Sequence, residues 1–258
     1  MKLTGNTMLI TGGGTGIGRG LAEQFHKLGN QVVIAGRRRE ALEATAAANP
    51  GMKSLTVDMQ DAGAIRQFAM QAVAEFPALN VVINNAGIMR QEKLIEADLT
   101  NAETIVATNL LGPMRLTAAM LPHLAKQPVA TLINVSSGLA FLPLTLTPTY
   151  CATKAAIHSY TMSLRHQLRD TKIEVLELAP PYVQTDLMDG ANDPRAMPLK
   201  EFITQVMEIL KQEPTPPEIL VQHVKRLRFA ERNGDFEEIF KMLNAARTDS
   251  NPAVMNGS

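Results

Sequence analysis

Tyr150 and Lys154 are the two residues whose types and spacing best suit proton transfer in this sequence. They lie four positions apart, so on a helix their side chains would share one face. A free tyrosine has a pKa of about 10, too high for a base at neutral pH, and a nearby ammonium group lowers that value. We therefore predict that Lys154 lowers the pKa of Tyr150 and that the pair exchanges a proton with a bound molecule. Taken alone, the same spacing is more typical of a solvent-exposed helix face.

A glycine-rich segment, T-G-G-G-T-G-I-G at residues 11–18, lies between a short apolar run and a helical segment. A dinucleotide pyrophosphate binds the backbone N–H groups of a helix N-terminus, where a Cβ would be in its way. The spacing of Gly12, Gly16 and Gly18 suits that site, and the lack of a following G-K-[ST] excludes a P-loop. A tight strand–helix turn without a ligand is the alternative, but it would need fewer glycines. The segment therefore predicts dinucleotide binding.

Three arginines follow Gly36, at the end of the second predicted strand: Arg37, Arg38 and Arg39. NAD-dependent enzymes usually have an acidic residue at this position, which hydrogen-bonds the adenosine ribose. A carboxylate would repel the 2′-phosphate of NADP, whereas a guanidinium pairs with it through two hydrogen bonds. The pattern therefore favours NADP(H) over NAD(H), with Arg37 as the first contact and Arg38 as the second. The alternative is a solvated charge cluster at the start of a helix, where positive charge is mildly unfavourable.

Short apolar runs alternate with helical segments, and these elements must position the residues above. The predicted strands cover residues 8–10, 32–35, 55–57, 79–83, 130–135 and 173–178, with a shorter candidate at 219–221. The predicted helices cover residues 17–28, 40–48, 62–76, 101–125 and 150–169. Continuous apolar strands separated by helices predict a parallel sheet with helices on both faces. We expect a single α/β domain over residues 1–258, a doubly wound parallel sheet of the Rossmann type.

The motifs taken together resemble the short-chain dehydrogenase/reductase family in its one-domain form. Besides the glycine loop, the matching features are Asp58 after the third strand, N-N-A-G at residues 84–87, Asn109, Ser137 in N-V-S-S-G and Y-C-A-T-K at residues 150–154. The resemblance implies hydride transfer between a nicotinamide cofactor and a carbonyl or secondary alcohol, with Tyr150 as the acid and base. A non-catalytic NADP(H)-sensing regulator on the same fold is the alternative, although such proteins commonly lose the tyrosine or lysine that this chain retains.

The resemblance also implies a role for each site residue. In the catalytic set of Asn109, Ser137, Tyr150 and Lys154, Ser137 would hold the substrate oxygen and Asn109 would position a water between Lys154 and solvent. Ser136 competes with Ser137, but the spacing to Tyr150 favours Ser137. The implied cofactor contacts are Gly12, Thr15, Gly16, Ile17, Gly18, Arg37, Arg38, Asp58, Asn85, Ala86, Gly87, Tyr150, Lys154, Pro180, Val183 and Thr185.

The segment after the sixth strand reads A-P-P-Y-V-Q-T-D-L, where the family usually has Pro-Gly before a threonine that reaches the nicotinamide amide. Thr185 keeps that position, whereas Pro181 replaces the glycine and restricts the backbone. No V-D-G-G ending follows, and the tail resembles instead that of bacterial oxidoreductases of the DltE type. This departure favours a homodimer, through the helices at about 101–125 and 150–170, with the family's tetramer as the alternative. We expect residues from about 187 to 258 to form a substrate loop and a C-terminal helical region of the same domain.

Apolar side chains near the predicted active site favour a mostly apolar carbonyl or alcohol as the small-molecule substrate. They are Leu139, Phe141, Leu142, Leu144 and Leu146 after strand five, and Leu187, Met188, Met197, Leu199, Phe202, Ile203, Val206 and Met207 in the C-terminal region. Methionine-bearing segments commonly close over apolar ligands. An amphipathic helix packed on the core is the alternative interpretation of the second group.

Composition and charge exclude several other classes of function. The chain has 258 residues with 25 Lys+Arg and 25 Asp+Glu, so it offers no global attraction to nucleic acid or to an anionic membrane. The uncharged stretch at 127–153 is interrupted by prolines, so we predict no membrane span. The histidines show no metal-binding spacing, and His158 and His166 are interpreted as packing or surface residues, so we expect no metal. A single cysteine and the lack of a targeting signal favour the cytoplasm.

Overall fold

A seven-stranded sheet lies at the centre of the fold, as the alternating pattern predicts. The computed structural model describes residues 1–187, 190 and 193–245, so Met188 of the expected substrate loop lies outside the described residues. The strands are β1 (Thr7–Thr11), β2 (Gln31–Gly36), β3 (Lys53–Thr56), β4 (Leu79–Asn84), β5 (Ala130–Val135), β6 (Ile173–Leu178) and β7 (Glu218–Ile219). Neighbouring strands are parallel, in the order β3-β2-β1-β4-β5-β6-β7. The doubly wound parallel sheet of the Rossmann type is confirmed.

Helices cover both faces of the sheet, because each buries an apolar stripe against it. They are α1 (Gly16–Lys27), α2 (Arg39–Ala47), α3 (Ala62–Glu75), α4 (Thr100–Val106), α5 (Gly112–Leu124), α6 (Pro148–Gln167), α7 (Leu199–Leu210), α8 (Gln222–Arg228), α9 (Ala230–Asn233) and α10 (Phe236–Ala245). Phe25 of α1 and Phe202 of α7 belong to one core cluster. Phe68 of α3, Leu116 of α5 and Leu164 of α6 belong to the other. None of the described helices has the length and apolarity needed to cross a membrane.

The strand order reverses between β1 and β4, and this reversal creates a crevice at their carboxyl ends. The loop after β1 carries the glycine segment, and the loop after β4 carries Asn85, Ala86 and Gly87. Because both loops leave the same edge of the sheet, one ligand in the crevice can contact both. The topology therefore brings together two motifs that lie far apart in the sequence.

Two strands differ from their predicted boundaries. β3 covers residues 53–56 rather than 55–57, because its pairing with β2 ends where Gly36 faces Thr56. The N–H of Val57 still donates to the Gly36 carbonyl oxygen at 2.9 Å. Val57 therefore continues the direction of β3 by one residue, beyond the last residue pair with β2. β7 is limited to residues 218–219 rather than 219–221, because its partner β6 ends at Leu178.

The predicted helix at 101–125 consists of three segments in the structure. A π-helical turn at Ala107–Leu111 separates α4 from α5 and contains Asn109. Pro113 has no N–H to donate to the Asn109 carbonyl oxygen, as a regular α-helix would require. The wider π turn accommodates this missing bond, and such turns often occur at functional sites.

Candidate active site

A cavity of about 550 Å³ opens at the carboxyl edge of the sheet. The predicted site residues that line it are Gly12, Thr15, Gly16, Ile17, Arg37, Arg38, Asp58, Asn85, Ala86, Gly87, Ser137, Tyr150, Lys154, Pro180, Val183 and Thr185. Gly18 and Asn109 are not among the described residues of the lining, but each is next to a residue that is: Gly18 packs against Gly12, and Asn109 is hydrogen-bonded to Ile88. The structure therefore brings the predicted cofactor contacts and the predicted catalytic side chains to one cavity.

Two positions of the glycine loop have no room for a side chain. Gly12 has a φ of +68°, and a Cβ there would lie 2.8 Å from Asn85 Nδ2. A Cβ at Gly18, in the first turn of α1, would lie 2.3 Å from the Gly12 carbonyl oxygen. The first turn of α1, which begins at Gly16, contains no acidic residue. Its N–H groups and the positive end of its dipole therefore suit an anionic phosphate group.

Thr11, which the sequence analysis did not single out, connects the glycine loop to the loop after β4. Its hydroxyl oxygen accepts hydrogen bonds from the N–H groups of Asn85 at 3.0 Å and Ala86 at 3.1 Å. In return, Asn85 Nδ2 donates to the Thr11 carbonyl oxygen at 2.9 Å. Thr11 is buried, and a buried hydroxyl needs partners. The sequence signal that could have pointed to Thr11 is its position at the end of a predicted buried strand, next to the glycine loop.

Arg38 contacts the glycine loop directly. Its Nη2 donates a hydrogen bond to Thr15 Oγ1 at 2.9 Å, and both residues line the cavity together with Arg37. The sequence analysis had named Arg37 as the first contact and Arg38 as the second. The structure gives Arg38 the observed bond to the loop, because it lies at the N-terminal end of α2, opposite Thr15.

Ser137, Tyr150 and Lys154 come together in the cavity although they belong to two elements. Ser137 follows β5, whereas Tyr150 and Lys154 lie in the first two turns of α6. The Ser137 side chain is close enough to the Tyr150 phenol to favour its ionised form and lower its pKa. Lys154 Nζ lies 5.6 Å from the centroid of the Tyr150 ring and donates to the Val135 carbonyl oxygen at 2.8 Å. All three side chains are buried.

Burial dominates the acid–base properties of this group. Desolvation raises the pKa of Tyr150 to about 12, although the nearby Ser137 side chain lowers it. The predicted lowered pKa of Tyr150 is therefore wrong for this structure, because desolvation is the largest influence and acts in the opposite direction. Burial also lowers the pKa of Lys154 to about 8, while the charge of Glu177 raises it. At neutral pH, Tyr150 is therefore a neutral phenol beside a mainly cationic lysine.

Asn109 holds the loop after β4 from behind the cavity wall. Its Oδ1 accepts from the Ile88 N–H at 2.9 Å, and its Nδ2 donates to the Ile88 carbonyl oxygen at 2.8 Å. A Cβ at Gly87 would lie 3.4 Å from Asn109 Oδ1 and 3.7 Å from Lys154 Nζ. Asn109, Gly87 and Lys154 are therefore close neighbours, as the resemblance implies.

The apolar part of the cavity differs from the predicted set. Leu139, Leu144 and Leu187 line it, and they are joined by Leu227 of α8 and Leu243 of α10, which the sequence analysis missed. The amphipathic pattern of α10 indicated a buried face but not what that face would contact. By contrast, the α7 side chains are buried in the core cluster that contains α1, so the alternative interpretation as a core-packing helix is correct for Phe202, Ile203, Val206 and Met207.

The fold and the cavity define a class: a Rossmann-type α/β protein in which a glycine loop adjoins a serine, a tyrosine and a lysine. A sequence model of the family, described as short chain dehydrogenase, matches residues 6–196. The chain belongs to the short-chain dehydrogenase family and is an oxidoreductase.

Individual relatives are similar over most of the chain. An uncharacterized oxidoreductase named DltE, from Bacillus subtilis strain 168, is 40% identical over 252 residues, which cover 95% of this chain and 98% of the relative. A short-chain dehydrogenase/reductase of Burkholderia phymatum, solved in complex with NAD, has a TM-score of 0.80 at 21% identity and covers 92% of this chain and 96% of its own. A short chain dehydrogenase of Burkholderia cenocepacia J2315, solved in complex with NADP, has a TM-score of 0.80 at 22% identity. The match covers 94% of this chain and 99% of that chain. The first similarity supports a DltE-like subgroup, and the two structures support the fold.

Proposed function

We propose that this protein is an NADP(H)-dependent oxidoreductase that transfers hydride between the nicotinamide and a carbonyl or secondary alcohol of a mostly apolar small molecule. The observation that carries the proposal is the meeting of Ser137, Tyr150 and Lys154 in one cavity with the glycine loop and Arg38. The groups that deliver the proton and bind the hydride carrier must act on the same substrate, so a shared cavity is required.

The residues present fit a nicotinamide dinucleotide. The absence of a Cβ at Gly12 and Gly18 lets the glycine loop pack closely against Asn85 and the first turn of α1. The N–H groups at the start of α1 would then bind the pyrophosphate. Thr108 also lines the cavity, and its buried hydroxyl has no hydrogen-bond partner among the described residues. A buried hydroxyl of this kind suits contact with a ligand. Asp58 would contact the adenine, and Thr185 would contact the nicotinamide amide.

The charges beside the glycine loop support NADP(H) rather than NAD(H). Arg38 is held at Thr15, and Arg37 lines the same cavity. Two guanidinium groups would pair with the 2′-phosphate, which NAD lacks. Gly36 stands where an acidic residue would otherwise bind the ribose hydroxyls of NAD.

Proton transfer is assigned to Tyr150. When bound, the nicotinamide supplies or accepts the hydride. In reduction, Tyr150 donates its phenolic proton to the substrate oxygen, which the Ser137 hydroxyl holds in place. The Lys154 ammonium then stabilises the phenolate that remains on Tyr150. Because burial keeps Tyr150 protonated at neutral pH, the protein begins a reduction with this proton in place.

The apolar wall supports the substrate class. Leu139, Leu144 and Leu243 line the cavity and belong to the apolar cluster that contains Tyr150, and Leu187 and Leu227 line the same cavity. Apolar walls with few polar groups bind ligands mainly through buried area, while the polar groups orient them. A mostly apolar aldehyde, ketone or alcohol, with its oxygen directed to Ser137 and Tyr150, satisfies both parts of this site.

Tyr150→Phe tests the proposed function. In a panel of carbonyl substrates with NADPH absorbance as the readout, we expect the variant to lose activity by about 100- to 10,000-fold, since it lacks the general acid. NADPH binding, measured by fluorescence titration, should be retained. Tyr160→Phe makes the same change on the same helix and should leave the rates unchanged, because Tyr160 is not among the described lining residues. Full activity of Tyr150→Phe would refute the mechanism. A wild-type protein that binds NADPH but turns over no carbonyl or alcohol would be the non-catalytic regulator.

Assembly and location complete the proposal. The C-terminal region from residue 187 belongs to the same domain, which is supported by the packing of α7 on α1 and the pairing of β7 with β6. A homodimer would form through the helices at 101–125 and 150–170, where Leu111 and Met162 expose apolar surface. The thiol of Cys151 is buried and forms no disulfide, which suits a reducing compartment such as the cytoplasm.

A further inference from the structure

Glu177 is a buried carboxylate to which the proposed mechanism gives no role. It lies on β6 with 0% of its surface exposed. Its Oε1 accepts a hydrogen bond from Ser136 Oγ at 2.5 Å, and its Oε2 lies 2.8 Å from His158 Nδ1. A buried carboxylate is costly unless it is paired, so these two contacts explain how it is tolerated. His158 packs its ring edge-on against Phe141, as its interpretation as a packing residue predicts, and it is in addition a partner of Glu177.

Both partners of Glu177 are neighbours of catalytic residues. Ser136 immediately precedes Ser137 at the end of β5, and its hydroxyl is engaged by Glu177. His158 lies one helical turn after Lys154 on α6. Glu177 thus connects the strand end that carries the catalytic serine to the helix that carries the tyrosine and the lysine. Two side-chain contacts from one residue span the gap between these elements.

Glu177 pairs in the sheet with Glu218 of β7, and charged or titratable groups of two helices surround these two carboxylates. They are Lys154, His158 and Arg165 of α6 and Arg228 of α8. Arg228 donates to Glu218 through Nε at 2.7 Å and Nη2 at 2.9 Å. His158, Glu177 and Glu218 each have a potential metal-ligating atom within 4.8 Å of the others. The Arg228 guanidinium group engages both oxygens of Glu218, and Ser136 and His158 contact the two oxygens of Glu177, so partners within the protein already occupy these carboxylates.

We propose that Glu177 is a positioning residue for the catalytic serine and lysine, an inference that rests on the proposed function. Its hydrogen bonds hold the end of β5 and helix α6 at one separation, which sets where Ser137 lies relative to Tyr150. Its negative charge favours the cationic form of Lys154. A glutamine at this position would keep the size and one accepting oxygen but lose the charge, and its NH2 group would have to donate where Glu177 has a second oxygen.

The charge has a definite direction of effect on Lys154. Burial lowers the pKa of Lys154 to about 8, and the charge of Glu177 acts against this by raising it. Without that charge, the pKa of Lys154 would fall further, and the ammonium group would lose its proton at a lower pH. Since the ammonium stabilises the phenolate of Tyr150, the loss of activity that accompanies rising pH would then begin at a lower pH.

Glu177→Gln is the variant that tests the charge. The titration of Lys154 can be followed by NMR in protein labelled with carbon-13 at lysine Cε, with the signal assigned through Lys154→Arg, and this measurement needs no substrate. We expect Lys154 to titrate at a lower pH in Glu177→Gln than in wild type. Glu174→Gln makes the same change on the same strand, where Glu174 pairs with the amino group of Met1, and should leave the titration unchanged. Equal Lys154 titrations in wild type and Glu177→Gln would overturn the role of the charge.

Kinetics provides the second readout, with the aldehyde or ketone turned over fastest in an NADPH panel. We expect Glu177→Gln to move the alkaline limb of kcat against pH to lower pH, with the KM for NADPH unchanged. Ser136→Ala removes one contact and keeps the charge, so kcat should fall at every pH while the alkaline limb stays in place. Full kcat in Ser136→Ala would overturn the positioning role, and this variant also tests it if Glu177→Gln does not fold.

Failure of this inference differs from failure of the proposed function. Full activity in Tyr150→Phe would refute the proposed function, whatever the titration of Lys154 shows. Loss of activity in Tyr150→Phe, together with wild-type behaviour of Glu177→Gln in both readouts, would refute only the role of Glu177.

Discussion

Tyr150 and Lys154 share surroundings that disfavour charge on either side chain. Burial raises the pKa of Tyr150 to about 12 and lowers that of Lys154 to about 8. In the proposed reduction this arrangement would be useful, because Tyr150 would keep its proton until a substrate oxygen takes it. Negative charge then develops on the phenol where little water is present, and the attraction of the Lys154 ammonium is strong there.

Arg38→Ala tests the choice of cofactor at the scale of one residue. The variant removes the guanidinium group that Thr15 holds at the glycine loop. A hydrogen bond to a charged group contributes about 1.5–3 kcal/mol, so we expect the KM for NADPH to rise by about 10- to 100-fold while the KM for NADH is unchanged. Steady-state kinetics with both cofactors measures this difference.

Arg39→Ala is the matched control for that experiment. Arg39 is the first residue of α2 and is not among the described residues that line the cavity. Its removal should leave both KM values unchanged. A wild-type protein with equal affinities for NADPH and NADH would contradict the assignment of NADP(H).

At the scale of an element, α10 brings the end of the described chain to the substrate side of the cavity. Asn244 Oδ1 accepts hydrogen bonds from the Thr145 N–H at 2.7 Å and from Thr145 Oγ1 at 2.9 Å. Asn244 Nδ2 donates to the Pro143 carbonyl oxygen at 3.2 Å. These bonds dock α10 on the loop after β5 and place Leu243 in the cavity wall. Under the proposed function, the helix would limit the size of substrate that can bind beside Leu144.

Leu243→Ala tests this role of α10. The smaller side chain enlarges the apolar end of the cavity, so we expect kcat/KM for bulky ketones to rise about tenfold relative to small ones, since one or two methylene groups are worth about 1–3 kcal/mol in an apolar pocket. Competition between two ketones of different size measures the ratio. Met242→Ala alters the neighbouring position, which is 52% exposed, and should not change it. An unchanged ratio in Leu243→Ala would show that α10 does not limit the substrate.

At the scale of the whole molecule, a net charge of zero conceals an uneven distribution. Arg37 and Arg38 line the cavity near the glycine loop, where a phosphate-rich cofactor would bind. The uncharged stretch at 127–153 carries Ser137, Tyr150 and part of the apolar wall. Binding one anionic cofactor requires local positive charge rather than a basic surface overall. The neutral chain therefore remains compatible with a polyanionic cofactor and an apolar substrate.

Met162→Lys tests the proposed homodimer. Met162 lies on α6 with 51% of its surface exposed, and a buried lysine at a dimer interface would be unfavourable. By size-exclusion chromatography with light scattering, we expect twice the protomer mass for wild type and the protomer mass for the variant. Met70→Lys, on α3 and 69% exposed, lies outside the proposed interface and should remain dimeric. A monomeric wild type, or a dimeric Met162→Lys, would contradict the proposed interface.

The alternating parallel fold, the glycine loop, the arginine cluster and the tyrosine–lysine pair could be predicted from the amino-acid sequence. Each of these depends on local features: the length of an apolar run, the absence of Cβ atoms at a turn, or a four-residue spacing along one helix face. Such features can be recognised without knowledge of what packs against them. For the same reason the family resemblance was visible in short motifs.

The side chains that complete the site, and the directions of their pKa shifts, became visible in the folded chain alone. Thr11 meets Asn85 across 74 positions, Ser136 meets Glu177 across 41, and Thr145 meets Asn244 across 99. The spacing of Tyr150 and Lys154 predicted a lowered pKa for the tyrosine, whereas burial raises it. Burial depends on every element that packs around a group, so its effect on charge emerges only when the chain is folded.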